Sequence, residues 1–158
     1  MPVARLTVRL TAEGRQELEQ ELAGLEAELP VVSLRLGDAR AGGNDPAENL
    51  DLRDAMDALA LLEGRIGELR ALLASAEPIE DGASRDGIIR LGARIKIRHA
   101  DGEEASYLLV SPAEADPRRG RISEESPIGR ALVGRKKNEE VTAETPNGAE
   151  HLVVLDVA

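Results

Sequence analysis

A chain of 158 residues suits one domain or two small ones, and its 30 Asp and Glu against 20 Lys and Arg leave a formal net charge of −10. That balance argues against a protein that grips a phosphate backbone by displacing counterions, and favours a partner that is itself basic. Cysteine is absent, which excludes a disulfide framework or a thiolate metal site; with one Tyr and no Phe or Trp, the core has to be built from Leu, Ile, Val and Ala, and an aromatic pocket or base-stacking platform is disfavoured.

The opening MPVARLTVRLTAEG lacks the continuous apolar run of a signal peptide, and no window approaches the roughly 20 apolar residues that span a bilayer, so the chain is expected in the cytoplasm and off the membrane. Thr11 is placed to cap a helix whose first turn carries Glu13, where the helix dipole favours an acid. From there Leu18, Leu22, Leu25, Leu29, Val32, Leu36 and Ala39 recur at alternating spacings of four and three, the seam of a coiled coil. Pro30 lies inside that seam, which continues in phase beyond it, and so predicts a kink and not a stop.

Gly42 and Gly43 end the first helix. Asp45, Pro46, Ala47 and Glu48 then read as an N-cap, a proline at the first helical position and an acid at the third, so the second helix is expected to open at Asp45. Its seam follows as Ala55, Leu59, Leu62, Ile66, Leu69 and Leu73. Two matched arms and a short turn predict an antiparallel coiled-coil hairpin whose tip, DARAGGNDPAENLDL (38–52), carries closely spaced carboxylates. Arg35, Arg40 and Arg53 near that tip are expected to pair with neighbouring carboxylates across the hairpin, and Asp51, Asp54 and Asp57 to form a solvated acidic face.

Between Ala74 and Asp86 the heptad pattern gives way to Gly, Ser, Asp and Pro, which reads as a linker; the division is a finger over 1–76, a linker over 77–87 and a second domain over 88–158. From Ile88 the period becomes two. Strands are predicted over 93–100 and 104–111 around an Asp101-Gly102 turn, and over 139–144 and 149–157 around Pro146-Asn147-Gly148. Ser126 as cap and Pro127 as first helical residue predict a short helix between the pairs. The fold class is therefore α+β: a helical hairpin followed by an antiparallel sheet with one short helix against it. His99 and His151 lie on predicted strands with no second ligand at metal spacing and read as sheet residues.

LTAEGRQELEQEL (10–22), the tip DARAGGNDPAEN (38–49), EGRIGEL (63–69) and SPIGRALVG (126–134) resemble the bacterial Gre transcription elongation factors, in that family's order and spacing. The resemblance implies an FKBP-like carboxy-terminal domain that docks at the rim of the secondary channel of RNA polymerase. It also implies a finger that enters the channel towards the catalytic Mg²⁺, or Mn²⁺ in its place. The tip carboxylates of the family correspond to Asp45 and Glu48, with Asn44, Asn49 and Asp51 as tip support, and the docking loop to Glu125, Ser126, Pro127 and Ile128. The resemblance implies a monomer with no cofactor bound on its own and no chemistry of its own, in contact with nascent RNA only inside the complex.

Where cleavage-type members read EAR, two residues, then GD, Arg40 here is followed by Ala41, Gly42, Gly43 and Asn44 before Asp45; Pro46 replaces a leucine and Leu52 an aromatic residue. These departures point to a member that modulates elongation, by pausing or inhibition, with stimulated cleavage of backtracked RNA as the alternative. Two other classes compete: a peptidyl-prolyl isomerase, against which the lack of aromatics other than Tyr107 speaks, and a coiled-coil adaptor. On residue chemistry alone Asp-Pro-Ala-Glu is also the start of any well-capped helix, and Ser126-Pro127 a plain helix start.

Overall fold

The computed structural model describes residues 7–80 and 86–158. The described residues divide into two compact units, one of residues 15–75 and one of residues 7–14 together with 76–80 and 86–158. Part of the segment read as a linker, 81–85, lies outside the described residues.

The first unit is the hairpin. Helix α1 spans Ala12–Arg40 and helix α2 Leu50–Ser75. The heptad seam explains both: Leu36, Leu52 and Ala55 close a small core at the tip end, flanked by Ala39 and Leu59, and Leu62, Ile66 and Leu69 are buried further along. On α1 the seam residues Leu18, Leu22, Leu25, Leu29 and Val32 are half-buried, because two helices can cover only one stripe of each other. The helix runs unbroken through Pro30. Cross-hairpin ion pairs come from Arg65 with Glu21 at 2.8 Å and from Arg70 with Glu26; hydrogen bonding to Glu21 raises the Arg65 pKa above its ordinary value. Arg35, Arg40 and Arg53, expected in that role, form no side-chain ion pair with any described residue. The pairing cations sit instead in the root half of α2, away from the tip.

The second unit holds a five-stranded sheet in the order β5-β4-β3-β7-β6. Its strands are β3 (Arg94–His99), β4 (Glu104–Val110), β5 (Arg121–Ser123), β6 (Glu140–Thr145) and β7 (Gly148–Val157), following a short parallel pair of β1 (Arg9–Leu10) with β2 (Glu77–Pro78). The two hairpins occur as the period-two pattern predicts, turning at Gly102 and Gly148, whose φ values of 90° and 112° suit glycine. The sheet is mixed and not wholly antiparallel, because β5 pairs parallel to β4. The connection between them carries two 3-10 turns, Pro112–Glu114 and Pro117–Arg119, and delivers a three-residue edge strand too short to show a period.

Ile89, Ala93, Ile95, Ile97, Leu109, Leu132, Leu152 and Val154 fill the core, with Tyr107 and Ile128 packed partly against it. Leu132 comes from helix α3 (Pro127–Leu132), which lies against β6 and touches β5. Gly129 permits that approach: a Cβ there would stand 1.9 Å from the Ser123 carbonyl oxygen. Among the described residues no helix is long and apolar enough to cross a membrane.

Candidate functional site: an acidic hairpin tip and a docking loop

Helix α1 ends in a tightening turn in which the amides of Ala41, Gly42 and Gly43 donate to the carbonyls of Asp38, Ala39 and Arg40, each at 3.1 Å. Gly43 then takes φ 132°, and a second, separate turn follows. Asp45 builds it: its Oδ1 accepts from the Ala47 amide at 2.8 Å, while its carbonyl accepts from Glu48 at 3.1 Å and Asn49 at 2.9 Å. Residues 45–48 are thus a capped turn and not the first turn of α2, which corrects the expected helix start. Aspartate followed by proline suits the opening of a type I turn as well as it suits a helix, so the tetrapeptide is ambiguous by itself.

The cap of α2 is Asn49. Its Oδ1 accepts from the Leu52 amide at 3.1 Å, and its Nδ2 donates to the carbonyls of Ala39 at 2.8 Å and Gly43 at 3.0 Å. One side chain therefore ties the end of α1, the loop and the start of α2 together. Asp45 and Glu48 are exposed on the turn it braces. The Glu48 carboxylate engages no partner among the described residues, and the Asp45 carboxylate retains acceptor sites beyond the one used by Ala47. Asn44 is exposed, as is Asp51 in the first turn of α2.

On the sheet unit, the residues read as a docking loop have unequal duties. The Ser126 hydroxyl donates to the Ser123 carbonyl at 2.6 Å and accepts from the Gly129 amide at 3.0 Å, so it caps α3. Pro127 opens the helix and Ile128 leans on the core. Glu125, anchored by its amide to Ser123 Oγ at 3.0 Å, is the exposed member. His99 meets Glu150, and His151 meets Thr142 at 3.0 Å, both cross-strand contacts within the sheet.

A buried polar cluster of the same unit has no counterpart in the sequence reading. Glu114, 6 % exposed, accepts from both the amide (2.8 Å) and the hydroxyl of Thr11, whose Oγ1 in turn accepts from the Gly14 amide at 3.0 Å. Buried Arg121 meets Glu13 at 3.1 Å. The first turn of α1 is thereby held by an acid from a 3-10 turn and a base from β5. Neither residue belongs to a periodic run, so only the helix start at Thr11 was visible in advance.

One unit is thus a helical hairpin that exposes an acidic tip, and the other a compact mixed sheet with one short helix. Comparison makes the class specific: residues 8–77 match the family described as "Transcription elongation factor, N-terminal", and residues 84–158 the one described as "Transcription elongation factor, GreA/GreB, C-term". The chain belongs to the GreA/GreB family of transcription elongation factors. It is similar to transcription elongation factor GreA of Chloroflexus aggregans, 44 % identical over 94 % of this chain and 95 % of that one, and to GreA of Bacillus subtilis, 41 % identical over the same shares. Among solved structures it is similar to GreA factor homolog 1 of Thermus thermophilus, at 29 % identity over 96 % of this chain and 98 % of that one, with a TM-score of 0.42.

Proposed function

We propose that this chain regulates elongation by binding RNA polymerase at the rim of its secondary channel and presenting Asp45 and Glu48 to the catalytic Mg²⁺, so that elongation is paused or inhibited. The observation that carries this is the tip itself: a turn braced by Asn49 that holds out two exposed carboxylates, one of them uncommitted. The donor set fits a hard cation, since Mg²⁺ takes oxygen ligands and commonly one or two carboxylates beside phosphates and waters. Magnesium or manganese bound there would supply Lewis-acid polarisation and an activated water. Asp45 and Glu48 would contribute oxygens to its coordination, Asn49 would fix their position, and Asn44 and Asp51 would complete the polar surround.

Glu125, Ser126, Pro127 and Ile128 form the docking loop in this reading, with Glu125 meeting a basic surface and Ser126 holding the loop in shape. The factor acts as a monomer in the cytoplasm, touches RNA only inside the complex and has no catalytic groups of its own. A second reading, stimulated cleavage of backtracked RNA, is favoured by the free Glu48 carboxylate, which could help orient a water at the shared ion.

The test is a stalled, backtracked elongation complex incubated with and without the protein at controlled Mg²⁺. Slower or more paused elongation, abolished in Asp45→Ala or Glu48→Ala, is the expected result. Accelerated release of short 3′ fragments that depends on the same acids establishes the second reading instead, and an absence of any effect overturns both.

A further inference from the structure

Glu124 and Glu125 form a ridge between two hollows of the sheet unit. On one side a hollow of about 270 Å³ is walled by Val8, Arg9, Ser111, Pro112 and Ala113; on the other, one of about 570 Å³ is walled by Arg130 and Val133. Neither glutamate forms an ion pair with a described residue, although Arg9 and Arg130 border the same hollows. A second and independent feature sits in the wall of the smaller hollow: Ser111 is 3 % exposed and its hydroxyl has no hydrogen-bond partner among the described residues. A buried hydroxyl left unpaired is unfavourable, and an incoming donor would relieve it.

We propose that the smaller hollow is a socket for one lysine or arginine side chain of the protein on which the factor docks; this rests on the docking reading given above. The chemistry selects that guest. Val8, Pro112 and Ala113 offer apolar wall for an aliphatic stem, and the two carboxylates at the mouth, set against the single guanidinium of Arg9, leave negative charge for the head. The unpaired Ser111 hydroxyl in the same wall would offer that head an acceptor. An acidic guest would meet two carboxylates, and the volume falls below the roughly 300 Å³ at which small-molecule pockets begin. The exposed Val133 across the ridge adds an apolar contact, so the partner surface carries an aliphatic residue beside its basic one.

Equilibrium binding of the full chain to core RNA polymerase, measured across a salt series, tests this with two variants. Glu124→Gln combined with Glu125→Gln removes the charge at the mouth. Ala113→Arg, at an exposed position, fills the socket from within and does not depend on the first variant folding well. Each is expected to weaken binding by about tenfold, and the double glutamine variant to flatten the salt dependence. Affinities within twofold of the parent in both, from a parent that binds and alters elongation, overturn the socket and leave the docking reading standing. A parent that does not bind polymerase overturns the docking reading, and the socket with it.

Discussion

Ile97, at the centre of the sheet, is 0 % exposed and surrounded on its face by Ile95, Leu109, Leu132 and Val154, whereas Leu25, on the hairpin seam, is half-buried with solvent on its flanks. The same aliphatic alphabet serves both units, but the sheet closes it into a layer under α3 while the hairpin spreads it along a line. Burial per residue is therefore lower in the hairpin, and its apolar surface continues outside the seam, at Val31, Leu34 and Leu61. A rod that must project a tip cannot also wrap a core around itself, so its stability comes from many weak contacts where the sheet unit relies on a few strong ones. The comparison breaks most directly at those two residues. Ile97→Ala should cost about 3–4 kcal/mol, in line with buried large-to-small changes, and Leu25→Ala about 1 kcal/mol. Hydrogen exchange resolved by unit reads both, and a Leu25→Ala loss equal to that of Ile97→Ala would show that the seam is packed as tightly as the sheet.

Between these extremes lies the first turn of α1, which clusters with the sheet unit and not with the helix it begins. Gly14 is hemmed in there: a Cβ would stand 1.7 Å from Glu114 Oε1 and 2.2 Å from its Cδ. Helix propensity alone predicts that Gly14→Ala stabilises by up to about 1 kcal/mol. Displacing Glu114 would instead break its bonds to Thr11 and leave buried polar groups unpaired, so the expected result is a loss of about 2 kcal/mol. Thermal or urea unfolding gives the sign at once, and a stabilised variant would mean that the Glu114 contact is dispensable.

How much of this was legible follows from where the information resides. The seams, the two β-hairpins and the Ser126 cap are local patterns of period 3.5 or 2, or of adjacent cap residues, and they appear where the sequence places them. Strand β5, with three residues, has no period to read, and its parallel pairing with β4 depends on a connection of turns. Glu114 and Arg121 gain meaning only from Thr11 and Glu13, more than a hundred residues earlier in the chain, and no local rule links them. At the candidate site, the position of Asp45 and Glu48 at the exposed tip was legible from the gap between seams. The division of labour between Asp45 and Asn49 was not, because both are good caps and the choice is made by the carbonyls that Asn49 reaches across the loop.

That choice gives the smallest and sharpest of these effects. Asn49→Ala removes the cap of α2 and two cross-loop bonds, and should destabilise the hairpin by about 1 kcal/mol, with faster amide exchange at Leu52. Asp45→Ala breaks only the bond to Ala47 within an exposed turn and should cost less than about 0.5 kcal/mol. If α2 opened at Asp45 the order would be reversed, with Asp45→Ala the costlier change and Asn49→Ala close to neutral. The expected order separates structure from function at the tip. Asp45 can then be lost with little effect on the fold, as its proposed role requires, whereas Asn49 keeps the turn in place.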